Sequence, residues 1–104
     1  MGIFSIFNKE LAIDLGTANT VILHNDKVVV DEPSIIAVER ATGDIMAVGK
    51  KALMMHGKVH ENIKTIRPLK DGVIADFQST EKMLREFIKM TAGKGYLFPR
   101  KPAV

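Results

Sequence analysis

The stretch Asp14-Leu15-Gly16-Thr17-Ala18-Asn19-Thr20 decides the reading of this chain. It sits between two apolar segments. Glu10-Leu11-Ala12-Ile13-Asp14-Leu15 has the character of a short, largely buried strand, and Thr20-Val21-Ile22-Leu23-His24 is β-branched and apolar. Gly16 ends the first strand, and Thr17-Ala18-Asn19 make the turn. A carboxylate at the end of a buried strand needs a partner for its charge, and a hydrated Mg²⁺ is a good one. Gly16 removes the Cβ that would keep a phosphate from the backbone. Successive N–H groups of a tight turn form an anion-binding concavity, to which the Thr17, Asn19 and Thr20 side chains can add donors. The same residues also read as an Asp and an Asn that do no more than stabilise a turn.

Outward from this turn the pattern stays short-period. Asn25-Asp26 tolerate the positive φ of a two-residue hairpin, so Lys27-Val28-Val29-Val30-Asp31 becomes a third strand and the three form a β-meander. Pro33 interrupts the pattern. Ser34 to Glu39 and Ile45 to Val48 are expected as further strands around the turn at Ala41-Thr42-Gly43-Asp44. Gly49 to about Met55 is expected as a short helix, with Ala52, Leu53 and Met54 on or near its buried side and Gly57 ending it. Lys58 to Asp71 reads as polar and irregular, anchored by Ile63 and Ile66. A longer helix follows, capped by Ser79 or Thr80 with Glu81 in its first turn. Its apolar stripe is Met83, Leu84, Phe87 and Ile88, and Gly93 and Gly95 end it.

Composition removes several functional classes. The 104 residues are 46% hydrophobic and 26% charged, close to ordinary globular averages. With no cysteine, a disulfide scaffold, a CxxC redox site and a cysteine zinc site are excluded. No apolar run approaches the ~20 residues of a membrane span. A net charge of +3, with scattered Phe and no dense basic stripe, argues against nucleic acid as a partner. Gly43 to Lys51 fails as a P-loop. It has five residues between its glycines rather than four, and Lys51 where a hydroxyl should meet Mg²⁺. Gly93-Lys94-Gly95 lacks the third glycine of a dinucleotide fingerprint and follows a helix. His56 and His60 stand four apart, but Gly57 between them disfavours helix and no HExxH exists. There is no G-x-S-x-G elbow. The apolar N-terminus, Ile3-Phe4-Ser5-Ile6-Phe7, has two readings: a strand or staple packed on the domain, or an interfacial anchor with Lys9 at the headgroups.

The Asp14 to Thr20 segment resembles the first phosphate loop of the actin, Hsp70 and sugar-kinase superfamily, and its Ala18-Asn19-Thr20 ending is similar to the bacterial actins of the MreB family. Four further segments agree in order and spacing: Glu32-Pro33-Ser34 before an apolar strand, Ala47-Val48-Gly49 before a short helix, Ile66-Arg67-Pro68-Leu69-Lys70-Asp71-Gly72-Val73-Ile74-Ala75-Asp76-Phe77, and Thr80-Glu81-Lys82-Met83-Leu84. The Arg67 to Phe77 segment argues against a chaperone or sugar kinase. The resemblance implies an α/β fold: the N-terminal part of an actin-like, ribonuclease H-like ATPase domain, a β-meander plus helices with an incomplete sheet. Residues 10–31 and 68–104 would belong to the large subdomain of domain one, residues 32–67 to the small subdomain, and residues 1–9 to a membrane-binding segment. It also implies ATP and Mg²⁺ as cofactors, with Asp14 facing the hydrated metal and Gly16, Thr17, Ala18, Asn19 and Thr20 wrapping the phosphates. Ile3, Phe4, Ile6 and Phe7 would touch the cytoplasmic membrane from inside the cell. The implied partners are further copies of the chain in a filament, the membrane surface and the cell-wall elongation machinery. No second Asp-Gly-Gly-type loop and no candidate general base occur in these residues, so the chain alone is expected not to hydrolyse ATP. The alternative is a self-standing binding module that keeps the phosphate loop without polymerising.

Overall fold

The computed structural model describes residues 4–7, 11–56 and 61–93. Four strands form an antiparallel sheet in the order of the chain: β1 (Phe4–Phe7), β2 (Leu11–Leu15), β3 (Asn19–His24) and β4 (Lys27–Pro33). The meander expected from the sequence is therefore present, with one more strand at its edge. Asn25 and Asp26 take φ values of 51° and 67°, the left-handed pair that a two-residue hairpin requires. Pro33 closes β4, where a missing N–H costs no ladder bond. Alternation along β2 and β3 sends Ile13, Leu15 and Ile22 to one buried face.

A second antiparallel sheet has the order β6-β5-β7, from β5 (Ile36–Glu39), β6 (Ile45–Val48) and β7 (Ile63–Ile66). Its central strand is covered on both faces. Ile36 and Val38 join the core made with Ile13, Leu15, Ile22, Val30 and Leu69, while Ala37 joins Ile35, Ala47 and Ala52 in a second cluster. That second cluster is roofed by α1 (Lys50–His56). Ala52 is buried there, with Met55 packed beside it; Leu53 and Met54 are exposed. The expectation for Leu53 and Met54 is corrected. Two turns of helix on a sheet bury one narrow face, and the spacing from Ala52 to Met55 fills it.

The stretch expected to be irregular contains β7 and a small hairpin, β8 (Leu69–Lys70) and β9 (Val73–Ile74). Asp71 and Gly72, at φ 53° and 78°, make its two-residue turn. In Ile63-Lys64-Thr65-Ile66 the polar pair stands between the two isoleucines and breaks the alternation, which hid the strand from a hydrophobicity reading. Gly57, the expected end of α1, and His60 lie outside the described residues.

Helix α2 (Phe77–Gly93) lies on β4 and β6. Met83 and Phe87 are fully buried, and Leu84 and Ile88 pack partly buried beside them, as the stripe predicts. Its cap is not the expected one. Asp76 caps the helix, its Oδ1 accepting the Ser79 N–H at 3.0 Å. Ser79 and Thr80 point inward, Thr80 Oγ1 donating to the Asp76 carbonyl at 2.8 Å. Glu81 consequently falls in the second turn, where it meets Arg85 at 3.3 Å. Gly95 and the tail after it lie outside the described residues.

Candidate phosphate-binding turn

The β2–β3 turn is closed by the Gly16 N–H, which donates to the Asn19 carbonyl at 3.0 Å. Gly16 is needed here for close approach rather than for an unusual φ: a Cβ would stand 2.6 Å from the Asn19 oxygen. Among the described residues, the Thr17 and Ala18 N–H groups have no hydrogen-bond acceptor. Ala18 and Asn19 are exposed, and Gly16 and Thr17 are half-buried. Successive backbone N–H groups of this kind are the raw material of an anion-binding concavity.

The side chains behave differently. Thr20 is fully buried, and its Oγ1 lies 2.8 Å from Ser34 Oγ. Ser34 Oγ in turn donates to the Gly16 carbonyl at 2.7 Å. The Ser34 N–H donates to the Ala18 carbonyl at 2.9 Å. Thr17 Oγ1 accepts the Gly72 N–H at 2.6 Å, which ties the turn to the β8–β9 hairpin and leaves the Thr17 proton as a donor. Asn19 Nδ2 donates to Asp31 Oδ1 at 3.3 Å. Two of the three expected side-chain donors are therefore engaged within the protein. Ser34 and Gly72 hold the turn, and neither received a role from the sequence. The only signal was the position of Ser34 in Glu32-Pro33-Ser34 and of Gly72 in the Arg67 to Phe77 segment.

Asp14 is half-buried, on the face of β2 opposite Ile13 and Leu15 and between Ser5 and Val21 in register. Among the described residues no cluster of three metal-ligating side chains occurs. One carboxylate fits a hydrated cation held mainly by phosphate oxygens, and does not fit a metal bound by protein alone. Of the apolar N-terminal residues, Phe4, Ile6 and Phe7 belong to strand β1, which pairs with β2, while Ile3 lies outside the described residues. No described helix is long and apolar enough to cross a membrane. A cleft of about 470 Å³ lies elsewhere, between β6, the start of α1 and α2, and none of its lining residues belongs to the turn.

A mixed α/β chain with a glycine turn of outward amides between its leading strands is the beginning of an actin-like fold. Solved structures agree. MreB5 of Spiroplasma citri bound to ADP matches with a TM-score of 0.68 and 37% identity, over 79% of this chain and 25% of that one. The same protein bound to AMPPNP matches with a TM-score of 0.67 and 40% identity, over 73% of this chain and 23% of that one. The family described as MreB/Mbl protein matches residues 8–104. Among curated relatives, the cell shape-determining protein Mbl of Bacillus cereus is 49% identical over 92 residues, 88% of this chain and 28% of the relative. The cell shape-determining protein MreB of Pasteurella multocida is 46% identical over 99 residues, 90% of this chain and 28% of the relative. The chain belongs to the MreB/Mbl family of cell shape-determining proteins, and it spans a little over a quarter of the length of those relatives.

Proposed function

We propose that this chain supplies the first phosphate loop of an ATP-binding, filament-forming actin-like protein that works on the cytoplasmic face of the membrane and directs cell-wall synthesis and rod shape. The observation that carries this reading is the β2–β3 turn, with Thr17 and Ala18 N–H unpaired among the described residues and the turn pinned from behind. Two amide donors and the Thr17 hydroxyl suit the terminal phosphates of ATP. Asp14 would orient water on a Mg²⁺ ion, and the ion, when bound, would offset phosphate charge. The nucleotides named for the Spiroplasma structures support the same ligand class. Residues 32–67, which hold the three-stranded sheet and α1, would form the small subdomain, and residues 10–31 and 68–104 part of the large one.

The partners in this reading are further copies of the chain in a filament, the membrane surface met by Ile3, Phe4, Ile6 and Phe7, and the cell-wall elongation machinery. Nucleic acid is not among them. Hydrolysis needs more than this turn: the sequence contains no opposing phosphate loop and no candidate general base. The 104-residue chain is expected to show no ATP turnover. Mg²⁺-dependent turnover by that purified chain, lost in Asp14→Ala, would overturn this. The phosphate reading is tested in the complete gene product by titrating a fluorescent ATP analogue with Mg²⁺. Binding should be lost or strongly weakened in Asp14→Ala, and affinity equal to wild type would refute the assignment.

A further inference from the structure

The phosphate turn is held from outside itself. Ser34 lies at the exit of β4, is fully buried, and makes three hydrogen bonds to a segment 14 to 18 residues earlier in the chain. Their direction is fixed by chemistry. The Gly16 carbonyl has no proton, so Ser34 Oγ must donate to it. Having spent its one proton, Ser34 Oγ accepts from Thr20 Oγ1. The Ser34 N–H donates to the Ala18 carbonyl. The carbonyls of Gly16 and Ala18 are both drawn toward Ser34.

A trans peptide is planar, and its C=O and N–H point in opposite directions. The Gly16 carbonyl shares its peptide with the Thr17 N–H, and the Ala18 carbonyl shares its peptide with the Asn19 N–H. Pulling both carbonyls toward Ser34 turns those two N–H groups away from it, to the side where an anion would bind. A flip of either peptide would set a carbonyl oxygen against a phosphate. Gly16 has no Cβ to resist such a flip, so the restraint must come from a partner.

We infer that Ser34 is a positioning residue of the phosphate site: its hydroxyl and N–H orient the peptides of the Gly16–Thr20 turn so that their amides face the ligand. Ser34 does not touch the ligand in this assignment. The assignment rests on the phosphate reading for its functional consequence, and on geometry alone for its effect on the turn.

The test uses the complete gene product with Ser34→Ala, and Ser34→Cys as a near-isosteric variant whose thiol is a weak donor. Thr91→Val serves as the control, because Thr91 is a fully buried hydroxyl on α2 that donates to the Ile88 carbonyl, away from the turn. Two readouts are taken: affinity for MgATP and for adenosine, and amide hydrogen exchange across residues 16–20 without nucleotide. Ser34→Ala should weaken MgATP about tenfold, the worth of roughly one or two lost hydrogen bonds. Its adenosine affinity should stay within about twofold of wild type, and turn amides should exchange faster. Ser34→Cys should fall between, and Thr91→Val should leave both affinities and the turn's exchange unchanged. Parallel loss of MgATP and adenosine binding, or unchanged exchange in the turn, overturns the assignment. A wild-type protein that binds no MgATP, but whose turn exchange still responds to Ser34→Ala, refutes the phosphate reading and keeps the positioning role. If Ser34→Ala does not fold, wild-type-like exchange and MgATP affinity in Ser34→Cys are the overturning result.

Discussion

Replacing Gly16 by alanine should cost far more than its size suggests, and the structure says how much. The φ of Gly16 is not in the left-handed region, so alanine meets no intrinsic backbone penalty there. The cost is contact. The new Cβ would stand 2.6 Å from the Asn19 oxygen, where such atoms essentially never come under 3.0 Å, so the turn must open by at least about 0.4 Å. The Asn19 oxygen is also the acceptor for the Gly16 N–H, and opening stretches that 3.0 Å bond, a loss of about 1 kcal/mol. The shift also moves the Gly16 carbonyl from Ser34 Oγ, and a buried hydroxyl left without its acceptor costs about 1–3 kcal/mol. The sum is about 2–4 kcal/mol, a large share of the ~5–15 kcal/mol typical of a folded domain. Gly43→Ala is the matched control. Gly43 has φ 77° with nothing within 4 Å of where a Cβ would stand, so alanine there meets only left-handed strain, about 1–2 kcal/mol. Urea unfolding of the complete gene product, with amide exchange reporting on residues 16–20, measures both variants. Gly16→Ala should be the less stable, with faster exchange in the turn and weaker MgATP binding; Gly43→Ala should leave turn and ligand alone. A Gly16→Ala protein within about 0.5 kcal/mol of wild type would show that the Asn19 carbonyl is not a fixed wall, and the closure argument would fail.

Phe87→Ala removes the largest fully buried side chain among the described residues and should destabilise by about 3–5 kcal/mol, read as a lower urea midpoint; a loss under 1 kcal/mol would mean that α2 does not seat on this core. The Ser79 backbone and side-chain hydrogen bonds, then the Gln78 backbone and Lys82, hold the Asp76 carboxyl below its ordinary 3.8, against a weaker opposing effect of burial. A depressed carboxylate stabilises the fold above its unfolded pKa, and the contribution fades as pH falls through the folded value. Asp76→Ala should therefore cost about 1 kcal/mol near neutrality and progressively less as pH falls below 3.8, while Asp76→Asn keeps a capping acceptor and loses that pH dependence. Equal destabilisation by Asp76→Ala at pH 7 and pH 2.5 would contradict the cap. Changing Phe4 and Phe7 together to Asp should abolish sedimentation of the complete gene product with anionic liposomes; unchanged binding would remove the N-terminal segment from the membrane contact.

The parts of this fold visible in the sequence are those governed by neighbours in the chain. The meander follows from alternation and from Asn25-Asp26, and the buried side of α2 from the spacing of Met83 and Phe87. The parts that were hidden are set by residues far away. Strand β7 is defined by its pairing with β5, not by its own hydrophobicity. Ser79 and Thr80 look like caps by type, but packing turns them inward and gives the role to Asp76. The same division runs through the candidate site. The sequence located the turn because glycine and small polar residues between two strands are a local signal. It could not show that Thr20 is buried against Ser34 or that Thr17 is held by Gly72, which stands 55 residues later. Those long-range bonds change what the turn offers a ligand. With Thr20 spent inside and Asn19 tied to Asp31, the proposed recognition of phosphate would fall mainly to backbone amides and the Thr17 hydroxyl. Backbone donors carry no side-chain identity, so substitutions that spare the turn's shape should be tolerated at Ala18. Substitutions that release its carbonyls, at Ser34 or Gly16, should not be.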